Sequence, residues 1–331
     1  MKKNILKKAT FVFKQASILL MVCIIAASCT KSEEDDNNNT TTTTTGSISS
    51  QVTKNTSFST LNLALVKANL TSTLDGAGPF TVFAPTDDAF AASGIDAALL
   101  NSLTADQVKS ILLYHTIGSK IMSTDVPVGP NAKVITAGGD SIFVTKNSNG
   151  VFVNGIKVKT PDIPASNGVI HTISNVLMPP SGNIVQIASG DTSFSFLVAA
   201  VVKASSGSTN IASILSSGMF TIFAPTNNAF RAAGFKSPDD VSAVSADVLA
   251  QILKYHVVEG RIFSSDFTSN SVSNSTIQPL TLTGTKLTIT IFSNGTINIK
   301  GNQNLSTSNF LRSNIMATNG VIHVVDQVLL D

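Results

Sequence analysis

All four histidines of the 331-residue chain stand in paired contexts. His115 and His256 each follow a tyrosine, Tyr114 and Tyr255, and His171 and His323 each end the run "NGVIH". An imidazole beside a serine or carboxylate can act as a general base, so a hydrolase is the first chemistry such a set suggests. The nearest candidate acids are Asp87 and Asp88 in "FTVFAPTDDAF" at 80–90. That stretch recurs at 220–230 as "FTIFAPTNNAF", with Asn227 and Asn228 in the acid positions. An amide cannot take up a proton as a carboxylate does, so a catalytic acid would be missing from one copy. Val108, Ile111 and His115 are spaced i, i+3, i+7, as are Leu249, Ile252 and His256. Each of these histidines therefore falls on the apolar face of a helix, near its C-terminal end. His171 and His323 follow Val-Ile pairs in runs that read as buried strand. The histidines are thus expected to be hydrogen-bonded scaffold, and a hydrolase is the least favoured reading. No nucleophile elbow, zinc-protease, phosphate-loop or EF-hand pattern occurs, and no catalytic residue, metal or cofactor is predicted.

The elements that must position these residues are short. "SFSTLNLALVKANL" has helical spacing at Leu61, Leu65 and Val66, with Phe58 ahead of them. "FTVF" reads as a strand stopped by Ala84-Pro85. Thr86 is a natural N-cap for a short helix through Phe90, and Asp87 and Asp88 suit its positive end. Thr104 and Gln107 predict a capping box on the helix that carries His115. Residues 133–158 alternate around a Ser-Asn-Gly turn, and "NGVIHTISNVLM" closes the pattern as a strand.

The whole pattern occurs twice. Segment 56–68 matches 192–204, 111–121 matches 252–262, and 167–171 recurs at 319–323. The offset grows from 136 to 152, so the second copy carries insertions between matched segments, where loops belong. Pro179-Pro180-Ser181-Gly182 marks the join. Two domains are expected, at 47–180 and 183–331, each of ordinary size.

"TVFAPTDDAF", "YH" and "NGVIH" followed by "ISNVL", in that order and twice, resemble the fasciclin-like domain family. The resemblance implies an α+β fold: tandem domains, each a β-wedge of about seven strands with helices packed on one side. It also implies a non-enzymatic role in adhesion or binding. By the same resemblance an Asp-Ile pair ahead of "NGVIH", here Asp162-Ile163, is a candidate adhesion contact. The "YH" segments, Tyr114-His115 and Tyr255-His256, are candidates on the same ground. The second copy has Asn314-Ile315 in place of the Asp-Ile pair and so lacks the acid.

The N-terminus points to export. Five lysines precede an apolar run too short to span a bilayer, ending Ala26-Ala27-Ser28-Cys29. This reads as a lipoprotein signal at 1–28 with Cys29 lipidated. Residues 29–46 are polar, with Glu33–Asp36 acidic and threonines following, and are expected to be a disordered tether. The acidic run so close behind the cysteine resembles an export signal of outer-membrane lipoproteins, and that resemblance implies exposure at the cell surface. Cys23 leaves with the signal, so the mature domains hold no disulfide and must be stabilised by burial.

The formal charge of +2 falls by five to −3 once the leader lysines are set aside, which argues against nucleic acid. The expected partner is an extracellular protein, matrix or glycan, with the membrane engaged only through the lipid. With no Trp and two Tyr, the chain has little to stack on sugar rings. An accessory glycan-capture lipoprotein of an uptake system is the alternative.

Overall fold

The computed structural model describes residues 45–267 and 275–331. The signal segment, Cys29 and the tether as far as residue 44 lie outside the described residues. Ser47 accepts the Ser50 N–H and caps α1 (Ile48–Lys54). A 3-10 turn, Thr56–Phe58, leads into α2 (Ser59–Lys67), then α3 (Thr71–Asp75), β1 (Phe80–Pro85), α4 (Asp87–Ala92), α5 (Ala97–Ser102) and α6 (Ala105–Tyr114). Strands follow: β2 (Thr116–Ile117), β3 (Gly129–Ile135), β4 (Ser141–Asn147), β5 (Gly150–Val153), β6 (Ile156–Ala165) and β7 (Gly168–Ile173). The second copy repeats the order. It has α7 (Ile184–Gly190), α8 (Ser195–Ser205), α9 (Ile211–Ser217), β8 (Phe220–Pro225), α10 (Asn227–Ala232), α11 (Pro238–Ser242) and α12 (Ala246–Tyr255). Its remaining strands are β9 (Val257–Glu259), β10 (Ser275–Ile277), β11 (Thr288–Ile291), β12 (Ile297–Lys300), β13 (Ser308–Ala317) and β14 (Gly320–Val325).

The fold is α+β. Each copy has a seven-stranded sheet, in the orders β2-β1-β7-β6-β5-β4-β3 and β10-β11-β12-β13-β14-β8-β9. The final strand of each copy returns to pair in parallel with the first, β7 with β1 and β14 with β8. Period-two alternation splits the strand side chains between two cores. Val82, Ala84 and Ile170 join Leu61, Leu65, Val108 and Leu112 on the helix side. Phe83, Ile142, Val144 and Ile173 face the other way, into a smaller core that also takes Tyr114. The central strands are covered on both faces, which is why β7 and β14 are buried throughout. Thr104 and Gln107 form the capping box, and Thr86 caps α4. Val66 departs from expectation: the buried stripe of α2 is Leu61, Ala64 and Leu65, and Val66 is 63% exposed.

The repeated Asn-Gly is explained by this return strand. A Cβ on Gly168 would lie 2.0 Å from the Phe80 carbonyl oxygen, and on Gly320 1.9 Å from that of Phe220. Only glycine admits so close a parallel start. The asparagine beside it ties helices to the sheet. Asn167 accepts the Ile48 N–H at 2.9 Å and donates to the Leu74 and Gly76 carbonyls; Asn319 does the same with Ile184, Leu215 and Gly218.

The described residues, 45–267 and 275–331, fall in one compact unit, so the two domains share a seam. Domain one presents the outer face of β3 and β4; domain two presents the segment Arg261–Asp266. Asn131 Nδ2 donates to Arg261 O at 2.9 Å and Asp266 Oδ2 at 3.0 Å, and Thr145 Oγ1 donates to Asp266 Oδ1 at 2.8 Å. The Arg261 guanidinium lies 4.5 Å above the Phe143 ring, which packs against Phe263 at 6.1 Å. Arg261 also donates to Ala317, Thr318 and Gly320 carbonyls, anchoring the seam to the end of domain two's own sheet.

Candidate functional site

The repeated polar residues are interior. Tyr114, His115, Tyr255 and His256 are each no more than 2% exposed, so these side chains offer a partner no surface. Their bonds show what they do. His115 Nδ1 lies 2.8 Å from Ile111 O, and Nε2 accepts the Leu177 N–H at 2.9 Å. His256 repeats this with Ile252 O and the Leu329 N–H. A carbonyl at one nitrogen and an N–H at the other fix a neutral ring with the proton on Nδ1. His171 and His323 carry the opposite tautomer. Their Nε2 donates to Ile121 O and Ile262 O, and their Nδ1 accepts the N–H of Asp162 and Asn314. Burial pushes His115, His256 and His323 down to about 4, and lowers His171. Tyr114 donates to Ser141 O and accepts from Asn154; burial raises its hydroxyl to about 12. No serine hydroxyl bonds any of these imidazoles, and no group of three potential metal ligands occurs among the described residues.

Asp87 is a clamp on α2. It accepts from Ser59 Oγ at 2.7 Å and Thr60 N at 2.8 Å. Asn227 accepts the Phe196 N–H and donates to Thr192 O, so acid and amide serve one purpose in the two copies.

Asp162 sits at a bulge in β6 with φ of +63°, a left-handed conformation that Asn and Asp tolerate best among residues with a Cβ. Its carboxylate accepts from the Ser123 N–H at 2.8 Å and from the Ser123 hydroxyl. These bonds hold it below the usual carboxylate range against the opposing effect of burial, which is the largest influence on it. Its side chain is 27% exposed. Asn314 has the same φ and bonds Ser264 the same way, through Oδ1 from the N–H and Nδ2 to the hydroxyl. Asn314 also abuts Gly155 of domain one: a Cβ there would fall 2.5 Å from its side chain. The second pair therefore lies beside domain one at the seam, and both pairs are half-buried.

The bulge presents Thr160 and Ile163 to a groove of about 620 Å³ on domain one, floored by Ile163 and Phe58 and edged by Asn55, Asp88 and Lys159. Asp88 and Lys159 are exposed and hold no hydrogen bond or ion pair among the described residues. Domain two spans the same place. Arg312 and Asp191, which replace Thr160 and Asn55, form an ion pair at 2.7 Å, with Arg312 lying 5.7 Å from the Phe194 ring. Arg231 donates to Asn228 and covers Phe196 from 5.1 Å. The groove, with Asn55, Asp88, Lys159 and Thr160, was not read from the sequence. The signal was present in the repeat alignment, as uncharged residues opposite Asp191 and Arg312, but partners 121 residues apart cannot be paired without the fold.

The chain is similar in sequence to known proteins. A family model for the fasciclin domain matches residues 56–179 and 192–331. A protein of Synechocystis sp., sll1483, is 41% identical over 128 residues, covering 38% of this chain and 69% of that protein. The transforming growth factor-beta-induced protein ig-h3 of Sus scrofa is 29% identical over 272 residues, covering 80% of this chain. Periostin of Homo sapiens is 28% identical over 273 residues, also 80% of this chain. The matches span 35% and 30% of those two proteins, about a third of their length. A solved domain pair from the insect cell adhesion molecule fasciclin I covers 83% of this chain and 97% of its own, at 19% identity and a TM-score of 0.39.

Proposed function

The chain belongs to the fasciclin domain family, and from that premise we propose that it is a surface-anchored, non-enzymatic interaction protein whose domain one binds an extracellular protein or matrix component. Fasciclin domains are found in adhesion and interaction proteins. The observation that carries the reading is the groove beside Ile163, open in domain one and bridged by Arg312–Asp191 in domain two. An extended segment laid there would meet an apolar floor and one charge of each sign on the rim. Complementary charge would set its direction and register more than its affinity. Ile163 supplies the buried contact. Asp162 acts chiefly as a positioning residue, holding the bulge through Ser123. A protein partner is favoured over a glycan because both tyrosines are buried and no aromatic ring is exposed on the groove for sugar stacking.

No single helix among the described residues is long and apolar enough to cross a membrane. The membrane link in this reading is the lipid at Cys29, and the acidic tether behind it carries the domains to the outer face.

The test transplants domain two's bridge. Matrix-protein and glycan arrays are probed with the chain from residue 47 onward, as wild type and as Asn55→Asp with Thr160→Arg. The ion pair should close the groove, lower binding more than tenfold and leave the melting temperature unchanged. Undiminished binding by the bridged variant sinks the groove as the contact.

A further inference from the structure

The smaller core differs between the two domains at two aligned positions. In domain two, Phe223, Phe267 and Phe310 pack with His323 in one aromatic cluster, their ring centroids 5.2–6.4 Å apart. In domain one, Phe83 and His171 keep their places, 5.5 Å apart. Val126 stands where domain two has Phe267, and Val158 stands where it has Phe310. The register proves the second equivalence: Val158 pairs with Ile173 as Phe310 pairs with Val325. Two rings are therefore missing, and in their place is a cavity of about 250 Å³ between the strands. Interiors are close-packed, and an unfilled hole of this size is destabilising. An apolar cavity of about 150 Å³ is enough to bind benzene.

The lining decides what could occupy it. Val134, Val144, Val151 and Val158 form the walls, and Pro127 and Asp125 lie at an exposed rim. The polar side chains nearby are already committed. The Ser123 hydroxyl donates to Asp162, and both His171 nitrogens are bonded to backbone. Asp125 accepts the Met122 N–H at the rim. Lys133 pairs in register with Phe143, whose ring faces the seam, so its side chain belongs to the outer face of the sheet. Asp125 and Lys133 are the charged residues of the lining, one at the rim and one directed to the outer face, so a charge carried deeper would be unpaired, which is strongly disfavoured.

We propose that domain one carries a binding site, absent from domain two, for a small neutral apolar molecule of single-ring or short-chain size, held in the cavity between Val126 and Val158. The site is separate from the groove beside Ile163, and selects by volume and neutrality rather than by hydrogen bonds.

The test uses toluene as probe and benzoate as its charged counterpart, on the full purified chain. Toluene should raise the melting temperature in a concentration-dependent way. It should shift the ¹³C-methyl resonances of Val126, Val144, Val151 and Val158, and leave those of Val257 and Val325 in place. Benzoate should bind at least tenfold more weakly. Val126→Phe with Val158→Phe copies the filling that domain two already tolerates, and should abolish the toluene response. Absence of any toluene response in the wild type overturns the proposal, as does an unchanged response in the double variant. Benzoate binding equal to toluene overturns the assignment of a neutral ligand. Should the double variant fail to fold, the wild-type methyl shifts decide alone, since shifts spread over both domains overturn the site.

Discussion

A buried histidine whose two nitrogens face one carbonyl and one N–H can be protonated only by breaking the bond from that N–H. Four such rings make the molecule acid-sensitive. Their folded pKa values lie below the unfolded value near 6.5, at about 4 for His115, His256 and His323. Between those limits the unfolded chain binds protons and the folded chain does not. Stability is therefore complete above pH 6.5 and falls as pH drops toward 4, by up to on the order of 3 kcal/mol for each of these three, with His171 adding a loss of the same sign. Urea unfolding at pH 7 and pH 4.5 checks this; equal midpoints would contradict it. Below pH 4 the hydrogen-bonded carboxylates Asp87, Asp162 and Asp326, the last accepting from Ser308 and Asn309, have lowered values and add a second loss as they are protonated. His171→Ala or His323→Ala should cost about 1–3 kcal/mol, because each leaves a backbone N–H and a carbonyl unpaired. Binding should fall only as far as folding does, and a stable variant that no longer binds would move these rings from scaffold to site.

At the scale of elements, the controlling event is the parallel return of β7 onto β1 and of β14 onto β8. The glycine that opens each return strand has another strand's carbonyl where a Cβ would go. Gly168→Ala should therefore destabilise by more than about 3 kcal/mol, as backbone clashes at special positions do. Gly94→Ala is the contrast: φ there is +69° but nothing lies within 4 Å, so only conformational strain of about 1 kcal/mol is expected. Thermal melts of the two variants measure the difference, and similar losses would show that the close approach is not what selects glycine at 168. The bulge at Asp162 belongs to the same scale. Asp162→Asn should preserve the fold, because Asn314 makes the equivalent bonds in domain two, and should reveal through binding alone whether the charge matters.

For the whole molecule, the seam couples the domains. Arg261 stacks on Phe143 and reaches three carbonyls of its own domain, while Asp266 accepts from Asn131 and Thr145 across the boundary. Arg261→Ala removes both roles. Calorimetry should show one transition in the wild type and two resolved transitions in the variant; a single unshifted transition would mean that the seam contributes no coupling. Cys29→Ser should release the protein from membranes or leave an unprocessed precursor, and normal processing and fractionation would exclude the lipid.

What the sequence determined by itself was whatever depends on neighbours along the chain. The caps at Thr86 and Thr104, the Ser-Asn-Gly turn, the burial of "NGVIH" and the doubling of the domain were legible because i+3 contacts, strand alternation and repetition are local patterns. The scaffold role of the histidines was legible for the same reason, through their helical and strand spacing. Only the tertiary structure decided which positions are paired at long range. Asn167 reads as a turn residue until Ile48, Leu74 and Gly76 converge on it, from up to 119 positions away. Asp162 reads as an exposed acid until Ser123 closes on it. The seam, the open groove and the cavity depend on which face of a strand meets which loop. Thr160 opposite Arg312 and Val126 opposite Phe267 are mild differences in sequence. They acquire meaning only because the fold puts Asn55 within reach of the first and Val158 beside the second, leaving space in one domain that the other fills.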